Sequence, residues 1–226
     1  MSVLYYNPSM RERLRYMFPG SETLVQNQSQ AGQDLFVLSM LNGARNGTYL
    51  EIGIQFPKYI SNSWVLEQDF AWRGVSIDIV PSCVEEFHRE RRNPAVVADA
   101  TKCDYLKILR DAGITETDID YVSIDCEPAD QTLQALYTLP LDDVRFAVIT
   151  FEHDCYNAGP VVKQQSRDYL QSKGYELVVS NISERGIWTD FEDWWVHPEL
   201  VDAELIKLFK ATDDSVKPWT DYIYPC

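Results

Sequence analysis

Basic residues are scarce: 20 Lys and Arg stand against 35 Asp and Glu in 226 residues, a formal charge of −15. A surface that acidic repels phosphate backbones and anionic lipid, so nucleic acid is not an expected partner. No apolar run approaches the ~20 residues of a membrane-spanning helix, so no membrane span is expected. The N-terminal stretch MSVLYYNPSMRERLRYMF lacks the apolar core of a secretory leader, and the chain reads as a soluble, cytoplasmic protein. CxxC spacing is absent too. The five cysteines, Cys83, Cys103, Cys126, Cys155 and Cys226, are odd in number and suggest neither a disulfide framework nor a zinc knuckle. A reducing compartment fits them, with most serving as small core residues. Cys126 sits beside acids that raise a thiol pKa, which argues against a thiolate nucleophile. Glycine-rich phosphate cradles are also missing. There is no GxGxxG and no Walker loop, only Gly53 followed by IQFPKY, so a dinucleotide has nowhere to place its pyrophosphate.

What is present is an ordinary globular composition, 45% hydrophobic and 24% charged, without internal repeat or low-complexity segment. Residues 1–28 read as an N-terminal helical arm, with a basic stretch at 11–15 and a Pro19-Gly20 turn, and 29–226 as the main domain. Within that domain, apolar β-prone runs at 48–54, 74–80, 95–98, 120–125, 145–151, 175–181 and 192–196 predict strands. Helical patterns are predicted at 34–42, 61–70, 81–91, 103–112, 130–136 and 161–173. Strands alternating with helices of about ten residues imply an α/β fold, a doubly wound, mostly parallel sheet. The weak helical signal between Gly174 and Val196 predicts an antiparallel hairpin at the sheet edge. In such sheets ligands bind beyond the carboxyl ends of the strands.

Those ends carry acids. The first strand ends at Glu51-Ile52-Gly53, the second at Asp78 and the third at Asp99. The fourth ends at Asp125-Cys126-Glu127 and the fifth at Glu152-His153-Asp154. Crowded carboxylates repel one another, so a cation, a metal or a hydroxyl-rich ligand is needed to relieve them. An acid ending the second strand has a precedent in accepting hydrogen bonds from ribose hydroxyls. A nucleoside cofactor that carries a positive sulfonium and no phosphate, S-adenosylmethionine, suits both the thin glycine loop and the acidic rim.

Several blocks then become recognisable: SQAGQDLFV (29–37), GTYLEIGI with SNSWVLE (47–67) and WRGVSIDIVP (72–81). DYVSIDCEPADQTLQAL (120–136), VITFEHD (148–154) and GYEL with DFEDWWVHP (174–198) follow in the same order. Together these resemble the FkbM family of S-adenosylmethionine-dependent methyltransferases over about residues 29–200. The resemblance implies a Rossmann-like class I methyltransferase. It also implies O-methyl transfer to a hydroxyl of a small molecule, sugar or glycan. Two departures stand out. Phe56-Pro57 replaces the Asp-Gly usual in the first loop, and Glu127-Pro128 replaces the usual Glu-Gly. A non-catalytic binding or scaffold protein with a degenerate cofactor loop is the alternative.

By similarity, Glu51 and Gly53 line the methionine end of the cofactor, Asp78 the ribose and Asp99 the adenine amino group. Gln30, Gln33, Ser61, Asn62, Ala100 and Asp125 complete the cofactor set. Asp125, Glu127, Glu152 and His153 converge where acceptor meets methyl group. His153 is one candidate base, while Asp125 with Glu152 is an alternative holder of Mg²⁺ or Mn²⁺. Trp194 and Trp195 point to opposite faces of a strand. One is expected in the core, the other against a sugar or the pocket wall. The basic run RERR (89–92) reads as a solvated helix face, and the terminal DYIYPC as a packed tail.

Overall fold

The computed structural model describes residues 14–184 and 189–224. Among the described residues, eight strands form one sheet in the order β3-β2-β1-β4-β5-β7-β6-β8. β1 (Thr48–Ile52), β2 (Arg73–Asp78), β3 (Ala95–Val97), β4 (Asp118–Ile124) and β5 (Arg145–Glu152) run parallel. β6 (Glu176–Ser183) and β7 (Glu192–Val196) form the antiparallel hairpin. It stands at one end of the sheet, as expected, with only a two-residue strand outside it. β7 inserts between β5 and β6, and the two-residue β8 (Lys217–Pro218) covers the outer side of β6. A strand as short as β8 has no periodicity to read, which is why sequence pattern passes over it.

The helices are α1 (Gln33–Met40), α2 (Trp64–Phe70), α3 (Pro81–Glu90), α4 (Tyr105–Asp111), α5 (Ala129–Thr138), α6 (Cys155–Ala158), α7 (Pro160–Ser172), α8 (Ala203–Phe209) and α9 (Thr220–Ile223). Local chemistry fixes their starts. Pro81 and Pro160 occupy the first turns of α3 and α7, where a missing N–H costs nothing. The Asp104 carboxylate caps α4 by accepting the Lys107 amide at 2.9 Å, and Asp202 caps α8 by accepting that of Glu204 at 2.8 Å.

Strands buried on both faces split the core in two. Tyr49, Tyr121 and Trp194 point into one layer with Phe36 and Phe70, while Leu50, Val122 and Trp195 point into the other with Leu133 and Leu170. Both tryptophans are fully buried, so neither walls a pocket, contrary to expectation. Of the arm, residues 14–28 are described. They carry a 3₁₀ turn at Ser21–Thr23 and bury Leu14, Phe18 and Leu24 in the first layer. The tail packs there too, through Tyr222 and Ile223, and its last two residues, like most of the basic stretch 11–15, lie outside the described part. Cys83, Cys103, Cys126 and Cys155 are unpaired and partly buried, with Cys103 and Cys126 packed against the second layer; Cys226 is not described. Among the described residues, no helix is long and apolar enough to cross a membrane.

Candidate functional site

Register sets the site. Ile52 is level with Ile77 on one side and Ile124 on the other, and Ile124 with Phe151. The residues that follow, Gly53, Asp78, Asp125 and Glu152, therefore emerge at one height. A cleft of about 650 Å³ opens there, bounded also by Asp99 and Ala100 after β3 and by Gln30 from the segment before α1.

Gly53 is the tightest point. Its φ is 92°, and a Cβ added there would lie 1.7 Å from the Asp125 carbonyl oxygen. The Gly53 amide donates to Ile77 and the Asp125 amide to Ile52, both at 2.9 Å, so the loops after β1 and β4 are bound together at the cleft floor. Asp78 shapes the loop above: its two oxygens accept the amides of Ile54 and Val80, each at 2.7 Å. Asp99 accepts the Thr101 amide and hydroxyl and the Lys102 ammonium, and these bonds hold its carboxyl down at about 2. Gln30 donates to Glu184 at 2.5 Å across the far side.

The opposite half is crowded with acids. Burial pushes the Asp125 carboxyl up to about 6; a hydrogen bond with Glu152 works against this, and the charges of Asp154 and Glu127 add to it. Glu152 is raised well above the ordinary carboxylate range by burial and then by Asp125 and Asp154. Each carboxylate of this pair, once ionised, thus opposes the ionisation of the other. Burial, then Asp154, also raises Glu127. Glu127, Glu152 and Asp154 each bring a carboxylate oxygen within 4.8 Å of the other two, a group that leaves out Asp125. Burial and the neighbouring carboxylates hold the Cys126 thiol at about 12, so it is no thiolate.

Other expected site residues sit outside the lining. Glu51 is buried beneath it, accepting from the hydroxyls of Ser61 (3.4 Å), Ser63 (2.8 Å) and Ser76 (2.7 Å). Asn62 donates to Ser123 at 2.8 Å, its own Oδ1 left buried without a partner. Gln33 donates to Glu192 at 3.0 Å and accepts the Ala31 amide at 2.7 Å. His153 is fully buried. Its Nδ1 accepts the Cys155 amide at 3.2 Å and its Nε2 lies 3.6 Å from Asp193, so the imidazole does not reach the cleft.

Arg91 departs most from its sequence reading. It is no solvated helix residue but fully buried. It donates to Glu67 at 2.7 Å, to the Pro57 carbonyl at 2.8 Å, and to the Ser61 and Ser63 hydroxyls at 3.2 and 2.9 Å. The loop carrying Phe56-Pro57 is thus anchored from below by its carbonyl, while Phe56 itself is 47% exposed and does not fill the cleft. Tyr156 and Glu184, which line the site, went unread in the sequence. Tyr156 lies four residues past β5 and carries no acid signal, whereas Glu184 directly follows β6, whose end the sequence pattern places at 181.

No family model matches the chain, and no curated protein matches it in sequence. Solved structures do resemble it in fold. TrmK of M. capricolum, determined with S-adenosylhomocysteine, superposes with a TM-score of 0.51 at 13% identity, covering 80% of this chain and 75% of that one. A candidate rRNA methylase from Clostridium thermocellum superposes at 0.50 and 11% identity, covering 73% and 92%. This chain has the Rossmann-like fold of those methyltransferases.

Proposed function

We propose that this protein is an S-adenosylmethionine-dependent methyltransferase acting on a hydroxyl of a small molecule, sugar or glycan, in the manner of the FkbM family that its sequence blocks resemble. The observation that carries the reading is the cleft itself. It lies at the carboxyl edge of the sheet, with a glycine that admits no side chain between Asp78 and the Asp125 loop. Each Asp78 oxygen already accepts one amide and keeps a lone-pair site for a ribose hydroxyl. Asp99 and Ala100 flank the adenine end, and Gln30 closes the far side. Glu51, Ser61, Asn62 and Gln33 act from beneath as positioning residues.

S-adenosylmethionine, held by Asp78, Asp99 and the Gly53 loop, would supply an electrophilic methyl group in line with the acceptor oxygen and would leave as neutral S-adenosylhomocysteine. Asp125 is placed to take the proton of the acceptor hydroxyl, whose oxygen would carry the methyl group as an ether. The protein contributes alignment and a nearby oxygen base. Among the described residues the lining holds Asp78, Asp99, Asp125, Glu127, Glu152 and Glu184 but no Lys, Arg or His. That favours a sulfonium and a small polar acceptor over a phosphate backbone.

Transfer of tritiated methyl from S-adenosylmethionine to a panel of glycosides and total RNA tests the reading. Label in a base-stable methyl ether is expected. Label confined to RNA overturns the acceptor class. Cofactor binding with no label in any acceptor overturns the enzyme in favour of a binding module.

A further inference from the structure

We propose that Glu127, Glu152 and Asp154 form a binding site for one divalent cation, Mg²⁺ or Mn²⁺, on the acceptor side of the cleft. Its position beside the acceptor rests on the methyl-transfer reading; the binding of the ion does not. The three carboxylates come from the loop after β4, from the last residue of β5 and from the loop that follows it, which the register brings level. Each offers an oxygen within 4.8 Å of the others. Ligands trans across a magnesium ion at about 2.1 Å lie about 4.2 Å apart, so a small rotation of the exposed Glu127 side chain brings the three oxygens into one coordination sphere.

A second observation points the same way. Asp154 is 4% exposed and its Oδ1 has no hydrogen-bond partner. Buried carboxylate oxygens normally find a donor, and here the neighbours are themselves carboxylates. The protein's own nearby cations are engaged elsewhere. Lys163 binds Asp190 at 2.6 Å and Asn181 at 3.0 Å, and Arg167 binds Asp193 at 2.7 Å. Exposure is graded across the group, from buried Asp154 through half-buried Glu152 to exposed Glu127, so one side opens into the cleft. Three hard oxygen donors and an open side suit a hard cation that keeps positions for water and an acceptor hydroxyl. An acceptor hydroxyl on such an ion loses its proton to Asp125 more readily than a free one.

Electron paramagnetic resonance of free Mn²⁺ at physiological salt, on the full chain, tests the site. Calorimetric titration with S-adenosylhomocysteine is run on the same samples. One Mn²⁺ per chain is expected, displaced by Mg²⁺. Glu127→Gln should weaken it at least tenfold, and Asp154→Asn likewise, while the exposed, distant Glu204→Gln leaves it unchanged. Since Glu127 is exposed, its variant keeps the test sound even if the Asp154 variant fails to fold. Mn²⁺ binding that Glu127→Gln does not weaken, or that Glu204→Gln weakens equally, overturns the proposal, as does no binding in the millimolar range. Cofactor binding without Mn²⁺ removes the ion site and keeps the methyltransferase reading; the reverse result removes that reading and keeps the site.

Discussion

Gly53 shows how much one atom decides. Its left-handed φ and the 1.7 Å approach of the Asp125 carbonyl oxygen mean that any side chain must displace backbone on one loop or the other. Gly53→Ala is expected to cost about 2–4 kcal/mol in urea denaturation and to lower affinity for S-adenosylhomocysteine more than tenfold. A variant as stable and as tightly binding as the parent contradicts the role given to this turn. Asp78 is the complementary case, a carboxylate that serves the loop through two amides. The place of these two residues was legible because each directly ends or follows an apolar β-prone run. Arg91 was not. Its neighbours in sequence, Arg89 and Arg92, are solvent-facing, and nothing in the local pattern tells which arginine of RERR turns inward to meet Glu67. His153 misled for the same reason: its place in the chain gives the strand end, but not the direction of the side chain.

At the scale of elements, the β1–α2 loop is held by a buried ion pair. Glu67 on α2 and Arg91 just past α3 are both essentially inaccessible, and Arg91 reaches from there to the Pro57 carbonyl. Arg91→Met leaves a buried carboxylate unpaired and is expected to cost about 3–5 kcal/mol in urea denaturation. Adding Glu67→Leu should recover most of that loss. It should not recover cofactor affinity, since the loop loses its anchor in both variants. Recovery of both quantities together would show that the loop is positioned by other means. The elements themselves were largely readable. Apolar runs buried on both faces, proline-opened helices and the alternation of the two gave the parallel half of the sheet. The order β5-β7-β6-β8 was not readable, because pairing partners far apart in sequence leave no local mark. As a consequence Glu192 and Asp193 arrive at the acidic floor from the start of β7 rather than the end of a strand.

The whole molecule carries the acidity of its cleft as a pH dependence. Burial holds Asp125 at about 6 and Glu192 at about 8, above their ordinary values of 3.8 and 4.5. The folded state keeps protons that the unfolded chain releases. The stability these groups contribute is therefore full below about pH 4 and is lost as pH rises through 6 and 8. Asp193 works oppositely. Burial would raise it, but His153 and Arg167 overcome that and hold it at about 2, so its contribution exists above 3.8 and is lost as pH falls through 2. The urea midpoint should thus be highest near pH 4 and fall towards pH 8.5. A midpoint that climbs across that window contradicts the buried, protonated floor.

The central claim is that this floor and rim hold an S-adenosyl nucleoside. Calorimetric titration of S-adenosylhomocysteine into the parent chain and into Asp78→Ala tests it most directly. Saturable one-to-one binding is expected, weakened about 10- to 100-fold by the substitution as two charge-assisted anchors are lost. No heat at millimolar ligand, or equal binding by both proteins, would contradict it.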